Sequence, residues 1–170
     1  MPYSLEPFLP HTPAFLEVVS VYQQVWGGNP EPSAATIEFF LRQTVYPEWR
    51  GLLARGSDGT VLGFACGSVV RRGQWWHDHL QTYLQLEGAW CLVELAVLES
   101  ARRHGIAQAL HDLLLQPVQQ PQVVLSTQIN NMAAIAFYRQ NHYRTLLERI
   151  VFTPSYAPYI ILGKQHVPKI

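Results

Sequence analysis

Val93-Glu94-Leu95-Ala96-Val97-Leu98-Glu99-Ser100-Ala101-Arg102-Arg103-His104-Gly105-Ile106-Ala107 decides the fold of this 170-residue chain. An apolar strand runs through Arg-x-x-Gly-x-Ala straight into an amphipathic helix, whose apolar positions Ile106, Leu110, Leu113 and Leu114 recur at helical spacing. The Arg-Gly turn therefore falls at a helix N-terminus, where several backbone N–H groups have no intrahelical partner. Those amides and the positive end of the helix dipole attract anions. Gly105 has no Cβ to hold a phosphate off the main chain, Ala107 keeps the first turn slim, and Arg102, Arg103 and His104 add positive charge. Taken alone, the turn reads equally as an ordinary strand-to-helix connection eased by a glycine. Neither G-x-G-x-x-G nor G-x-x-x-x-G-K-[ST] occurs anywhere in the chain, which argues against the common nucleotide-binding families.

Further on, Val123-Val124-Leu125-Ser126-Thr127 reads as the next strand, and Asn131-Met132-Ala133-Ala134-Ile135-Ala136-Phe137-Tyr138 opens a helix that runs to about Gln140. With these two segments in view, the chain resembles the GNAT superfamily of N-acetyltransferases. Its signature is Gln/Arg-x-x-Gly-x-Gly/Ala after a strand that often carries Glu-Leu-x-Val, followed later by Asn-x-x-Ala-x-x-Phe/Leu-Tyr. Residues 102–107 fit the first motif position by position, and residues 131–138 fit the second. The similarity is strong over residues 90–143 and architectural elsewhere. In place of the Gly-Phe that usually follows the tyrosine stands Asn141-His142-Tyr143, where Asn141 is expected to take the left-handed turn.

Working outward, residues 3–8 read as a first strand. Thr12-Pro13 reads as N-cap and first residue of a helix carrying Phe15, Val18, Val19, Tyr22 and Trp26, which Gly27-Gly28 ends. Ser33 caps a second helix with an apolar face of Ile37, Phe40, Leu41 and Val45. Residues 52–54 and 61–66 flank an Asp58-Gly59 turn and form a hairpin. Residues 71–88 break the pattern and read as an insertion between strands, with a short helix through Leu80, Tyr83 and Leu84. Residues 143–152 and 159–162 close the chain as an antiparallel pair. Strand-helix-strand-helix in the middle implies a parallel central pair, and the hairpins on either side imply antiparallel pairing.

The expected fold is thus a single α/β domain over residues 1–170, with a mixed, mostly antiparallel sheet of about seven strands flanked by about four helices. The resemblance adds that the two central parallel strands splay apart. The pantetheine arm of acetyl-coenzyme A would enter the gap and bond to the backbone of Leu95, Ala96 and Val97. Its diphosphate would lie on Arg102, Arg103, His104, Gly105, Ile106 and Ala107.

Composition bounds the function. Twelve Lys and Arg balance twelve Asp and Glu, and 48% of residues are hydrophobic, which describes a compact globule without a broad surface for nucleic acid or anionic lipid. No apolar run approaches the roughly 20 residues that span a bilayer, and the first residues lack the basic-then-apolar order of a signal peptide. A cytoplasmic protein is expected, with a small-molecule or peptide partner; a homodimer is compatible with the sequence. Cys66 and Cys91 sit in apolar runs and read as buried thiols, not as a disulfide framework or a zinc site. His77-Asp78-His79 reads as solvated, and no metal is expected. Arg139 and His142 read as surface groups.

Acetyl transfer to an amine requires a base for the ammonium and a proton donor for the leaving thiolate. Glu94 is the only charged residue in the motif strand, where an unhydrated carboxylate is costly and its pKa should rise. It reads as the general base, through a water molecule, against a structural or acceptor-binding carboxylate. Tyr138 alone would pass for a core aromatic; the resemblance implies that it protonates the coenzyme A sulfur. Asn131 either contacts the cofactor or caps its helix. Trp75, Trp76 and Tyr83, with Trp26, are candidates to wall the acceptor and hold a cationic amine over their ring faces, while at least one of them plugs the core. The sequence reading is an acetyl-CoA-dependent N-acetyltransferase that acts on a primary amine in a ternary complex. A non-catalytic acyl-CoA-binding module and a nucleotide-binding domain stay open beside it.

Overall fold

A computed structural model describes residues 2–168. In chain order the elements are β1 (Tyr3–Pro7), α1 (Pro13–Gly27), α2 (Ala34–Thr44), β2 (Arg50–Gly56), β3 (Val61–Val69), α3 (Trp75–Leu80), β4 (Trp90–Val97), a 3-10 turn (Glu99–Ala101), α4 (Ile106–Leu115), β5 (Gln122–Gln128), α5 (Met132–Gln140), β6 (Arg144–Ile150) and β7 (Tyr159–Gln165). The strands form a seven-stranded sheet in the order β1-β2-β3-β4-β5-β7-β6, with β4 and β5 parallel and the hairpin pairs antiparallel. Two compact units share it, one made of residues 2–68 and 92–118, the other of residues 69–91 and 119–168. Strand β4 runs through both.

In the first unit, local chemistry sets the elements. Thr12 Oγ1 accepts from the Phe15 N–H and Pro13 opens α1, while Gly28, at φ 72°, ends it. Ser33 caps α2 through the Thr36 N–H. The Asp58-Gly59 turn closes the β2–β3 hairpin: the Gly56 N–H donates to the Thr60 carbonyl, and Gly59 takes φ 86°. Phe8, Phe40 and Phe64 meet edge to face at centroid distances of 5.7 to 6.3 Å. This core carries β4 on its far side. Strand β3 presses so close that a Cβ on Gly63 would fall 2.7 Å from the Ala96 carbonyl oxygen.

In the second unit, Val70, Leu80, Leu86, Ala89, Val124 and Ile161 form one buried cluster under α3. The insertion over residues 71–88 is pinched at its base, where the Val70 N–H donates to the Ala89 carbonyl and the Gly88 N–H donates to Val70. The β4–β5 ladder holds the pairs Trp90↔Val123 and Cys91↔Val124, and β5 pairs with β7 from Gln122↔Gln165 to Gln128↔Tyr159.

Several expectations are corrected. The strand does not run straight into α4, because the 3-10 turn and residues 102–105 intervene. Leu113, placed on the buried stripe of α4, is 38% exposed. Leu115 and His111 are buried on that helix instead. Val45 is 78% exposed because α2 stops at Thr44. The helix of the insertion lies at Trp75–Leu80, ahead of Tyr83 and Leu84, and it buries His77 at 5% exposure where a solvated histidine was expected. Cys66 is buried as expected, but Cys91 is half-buried. Strand β6 ends at Ile150, short of Phe152, and β7 extends to Gln165.

Candidate active site

Residues 98–105 form the turn that the sequence singles out, and its backbone is unusual. Arg103 at φ 63° and Gly105 at φ 77° both lie in the left-handed region, which only the second, a glycine, adopts without strain. The loop is tied internally. Arg102 Nε donates to the Val97 carbonyl at 3.3 Å, and His104 Nδ1 donates to the Arg102 carbonyl at 2.8 Å. One guanidinium nitrogen and one ring nitrogen thus brace the turn. Arg102, Arg103 and His104 are all exposed.

Gly105 is the N-cap of α4, and no side chain caps that helix, whereas Thr12, Ser33 and Asn131 cap α1, α2 and α5. The helical ladder of α4 starts with the Ala109 N–H donating to the Gly105 carbonyl. Open space lies where a Gly105 Cβ would project, with no atom within 4 Å. A diphosphate fits this start: main-chain donors at the positive end of a dipole, no Cβ in the way, and cationic side chains on the approach. Ile106 is buried and anchors the first turn, and Ala107 is half-buried.

Glu94 stands on β4 in the same compact unit, one residue before Leu95, Ala96 and Val97. Ala96 and Val97 are buried and Leu95 is half-buried. Among the described residues no hydrogen bond or ion pair reaches the Glu94 carboxyl. The residue as a whole keeps some contact with solvent, but protein crowds its carboxyl enough that lost hydration pushes the group up to about 8. A half-buried residue with a dehydrated carboxyl is set deep yet within reach of water. That is the state in which a carboxylate can take a proton from an ammonium.

Tyr138 and Asn131 belong to the second unit. Tyr138 is 7% exposed on α5, with its ring edge-on to Phe137 at 5.3 Å and to Tyr143 at 5.4 Å between centroids. Asn131 Oδ1 accepts from the Ala134 N–H at 3.2 Å, so the capping role is realised. At the other end of α5 the left-handed residue is His142, at φ 67°, not Asn141, which sits at φ −89°. The Tyr143 N–H donates to the Tyr138 carbonyl and the His142 N–H donates to Arg139, the two bonds of a Schellman turn. The turn geometry thus survives with a histidine where glycine is usual. Asn141 instead folds its side-chain amide back onto the Phe137 carbonyl. Arg139 and His142 are exposed.

The aromatic candidates separate. Trp26, 53% exposed, closes α1 beside Tyr22 in the first unit. Trp75 (60% exposed) and Tyr83 (63% exposed) stand on the insertion, and half-buried Trp76 donates its indole N–H to Ser126 Oγ at 3.3 Å. Trp75 packs with His79 and Phe152 in a triangle of rings 5.1 to 5.5 Å apart. The sequence reading missed His79 and Phe152. The Trp75–His79 spacing of four was a signal once the helix is placed at residues 75–80, but nothing local points to Phe152. His77 Nδ1 donates to Asp78 at 2.7 Å, a bond that holds the Asp78 carboxyl below its ordinary range. No group of three His, Cys, Asp or Glu side chains converges to hold a metal among the described residues.

A mixed sheet with one parallel pair, a carboxyl on the strand of that pair and an uncapped glycine-led helix reached from it through a short 3-10 turn and loop define an acyltransferase scaffold. Residues 16–143 match the model of the acetyltransferase (GNAT) family, and the chain belongs to that family. Among solved structures it is similar to the ribosomal-protein-S18-alanine N-acetyltransferase from Escherichia coli, with TM-score 0.70 and 17% identity over 96% of this chain and 93% of that one. It is similar to Arabidopsis thaliana NAA60, solved with a bisubstrate analogue, with TM-score 0.69 and 17% identity over 98% and 100%. It is also similar to the NatC complex bound to Gag peptide and CoA, with TM-score 0.69 and 16% identity over 98% and 100%. No curated protein matches it in sequence. No helix among the described residues is long and apolar enough to cross a membrane.

Proposed function

We propose that the chain transfers the acetyl group of acetyl-CoA to the primary amine of a peptide or small molecule, by direct attack in a ternary complex. Gly105, Ile106 and Ala107 offer their main-chain amides to the diphosphate, with Arg102, Arg103 and His104 around them. The main chain of Leu95, Ala96 and Val97 bonds the pantetheine arm, and Asn131, beyond its cap, lies against the same co-substrate. Glu94 takes one proton from the ammonium, through water, and the freed amine lone pair then bonds to the acetyl carbon. Tyr138 gives its hydroxyl proton to the sulfur as the C–S bond breaks, and the second nitrogen proton, released as the amide forms, restores the phenol. Trp26, Trp75, Trp76 and Tyr83 receive the acceptor. The similar structures, one solved with Gag peptide and CoA and one named for an alanine of ribosomal protein S18, support a peptide amine as the first acceptor to try.

Glu94 carries this reading. An ammonium near pKa 10 gives its proton far more readily to a carboxyl poised at about 8 than to one at 4.5, so dehydration tunes this group towards its task. The test is a mass-spectrometric screen of amine classes with acetyl-CoA, run with the Glu94→Gln and Tyr138→Phe variants. Each variant should lose about 10² to 10⁴-fold in turnover while acetyl-CoA still raises the melting temperature. Full turnover in both variants refutes the roles. Cofactor binding without acetylation of any amine makes the chain an acyl-CoA-binding module.

A further inference from the structure

At the start of β5, the sheet face formed with β7 and β6 holds a groove of about 400 Å³ that shares no residue with the proposed active site. Its floor is apolar. Arg144 stands opposite Gly163 in the β6–β7 ladder, and Leu146 lies over that glycine so closely that a Cβ there would come within 2.5 Å of it. Glycine at this point makes room for the Leu146 side chain, which packs on the bare backbone and forms the floor.

The rim is cationic. Arg144 and His142 line it, together with Gln122 and Gln165, which face each other across the β5–β7 ladder; Lys164 borders it from the alternate position of β7, with its side chain turned to the other face of the sheet. Among the described residues no carboxylate lines the groove. The Arg144 guanidinium has no ion pair or hydrogen bond among the described residues, whereas the Lys164 ammonium is engaged 4.7 Å over the Tyr143 ring. His142 is displayed by its left-handed backbone at the end of α5. Two basic side chains, Arg144 and His142, and two amides around an apolar floor match a ligand with an oxyanion at one end and an apolar body at the other.

We propose that this groove is a second binding site, for a small molecule that carries a carboxylate or phosphate on a flat apolar body. Arg144 meets the oxyanion and the Leu146–Gly163 floor takes the body. Amide shifts of the isotope-labelled full chain would be followed during titration with phenyl phosphate, benzoate and, as the cationic control, benzylamine. The expected result is saturable shifts centred on Gly163 and Gln165 with at least one anion, at concentrations up to about 10 mM, and none with benzylamine. Arg144→Gln should weaken binding about tenfold, whereas Arg149→Gln, on the same strand outside the groove, should leave it unchanged. The stronger of the two anions identifies the head group. The proposal is overturned by an absence of saturable shifts with both anions, by equal binding of benzylamine, or by binding that Arg144→Gln does not weaken.

Discussion

Replacing Glu94 by glutamine should flatten the pH dependence of stability in a calculable way. Folding raises this carboxyl from its ordinary 4.5 to about 8 through lost hydration alone, so the native state binds the proton more tightly than the unfolded chain. Its contribution to stability is therefore fully present below about pH 4.5, drains away as pH rises towards about 8, and is level above that. At about 1.36 kcal/mol per pK unit the whole shift is worth roughly 5 kcal/mol, of which about 4 kcal/mol falls between about pH 5 and pH 9. Because Glu94 keeps some contact with solvent, that figure is a ceiling. Glutamine has the shape of the protonated side chain and does not titrate. The wild-type chain should lose up to about 4 kcal/mol relative to Glu94→Gln over this range, or roughly 10 °C in melting temperature for a domain of this size. Urea unfolding of both proteins at matched pH isolates the effect, since every other titrating group cancels in the difference. Parallel curves, differing by a constant across the range, would show that the carboxyl is hydrated in the native state and would remove the physical basis for calling it a poised base.

Three further substitutions probe the backbone that shapes the site. Gly63→Ala should destabilise the chain by roughly 2–3 kcal/mol, because the new Cβ meets the Ala96 carbonyl oxygen at 2.7 Å and the Val97 Cα at 3.1 Å; urea titration reads this directly. Gly105→Ala meets no atom within 4 Å, so its cost should be conformational only, about 1–2 kcal/mol from φ 77°, seen as a lower melting temperature without loss of cooperativity. His142→Gly should instead stabilise by up to about 1 kcal/mol, since it relieves φ 67° at the Schellman turn; a melting temperature equal to or below that of the wild type would contradict the argument.

The parts of the fold that were legible are those fixed by neighbours in sequence. Thr12-Pro13 and Ser33 act within one helical turn, Asp58-Gly59 within one hairpin, and the stripe of Ile106, Leu110 and Leu114 within one helix, so each is written in a few adjacent residues. Errors appear where another element decides the outcome. Leu113 has a helical spacing from Leu110 as good as that of Leu114, yet which flank of the stripe is covered depends on the elements α4 packs against. His77 is polar in a polar stretch, but one face of a six-residue helix must close over Leu80, and His77 lies on that face, three residues before it. The left-handed position after α5 was expected at Asn141 from residue preference. The ring contact of Tyr143 with Tyr138 accompanies a longer turn in which His142 takes that conformation.

For the candidate site the division has a different cause. The α4 start could be read because glycine, the missing cap and the helical stripe all occur within a dozen residues. Glu94 could be read because a carboxylate in an apolar strand conflicts with every local rule, and a conflict that a chain retains asks for a use. Its depth could not be read, since the sequence shows that the strand is apolar but not that protein surrounds the carboxyl closely enough to move it to about 8. The same dehydration that would weaken the fold at neutral pH brings the group's affinity for protons towards that of an amine. If Glu94 is the base proposed above, stability and proton transfer are set in opposition by one physical quantity, the water removed from its carboxyl, and changes in packing that return water there should raise the first and slow the second.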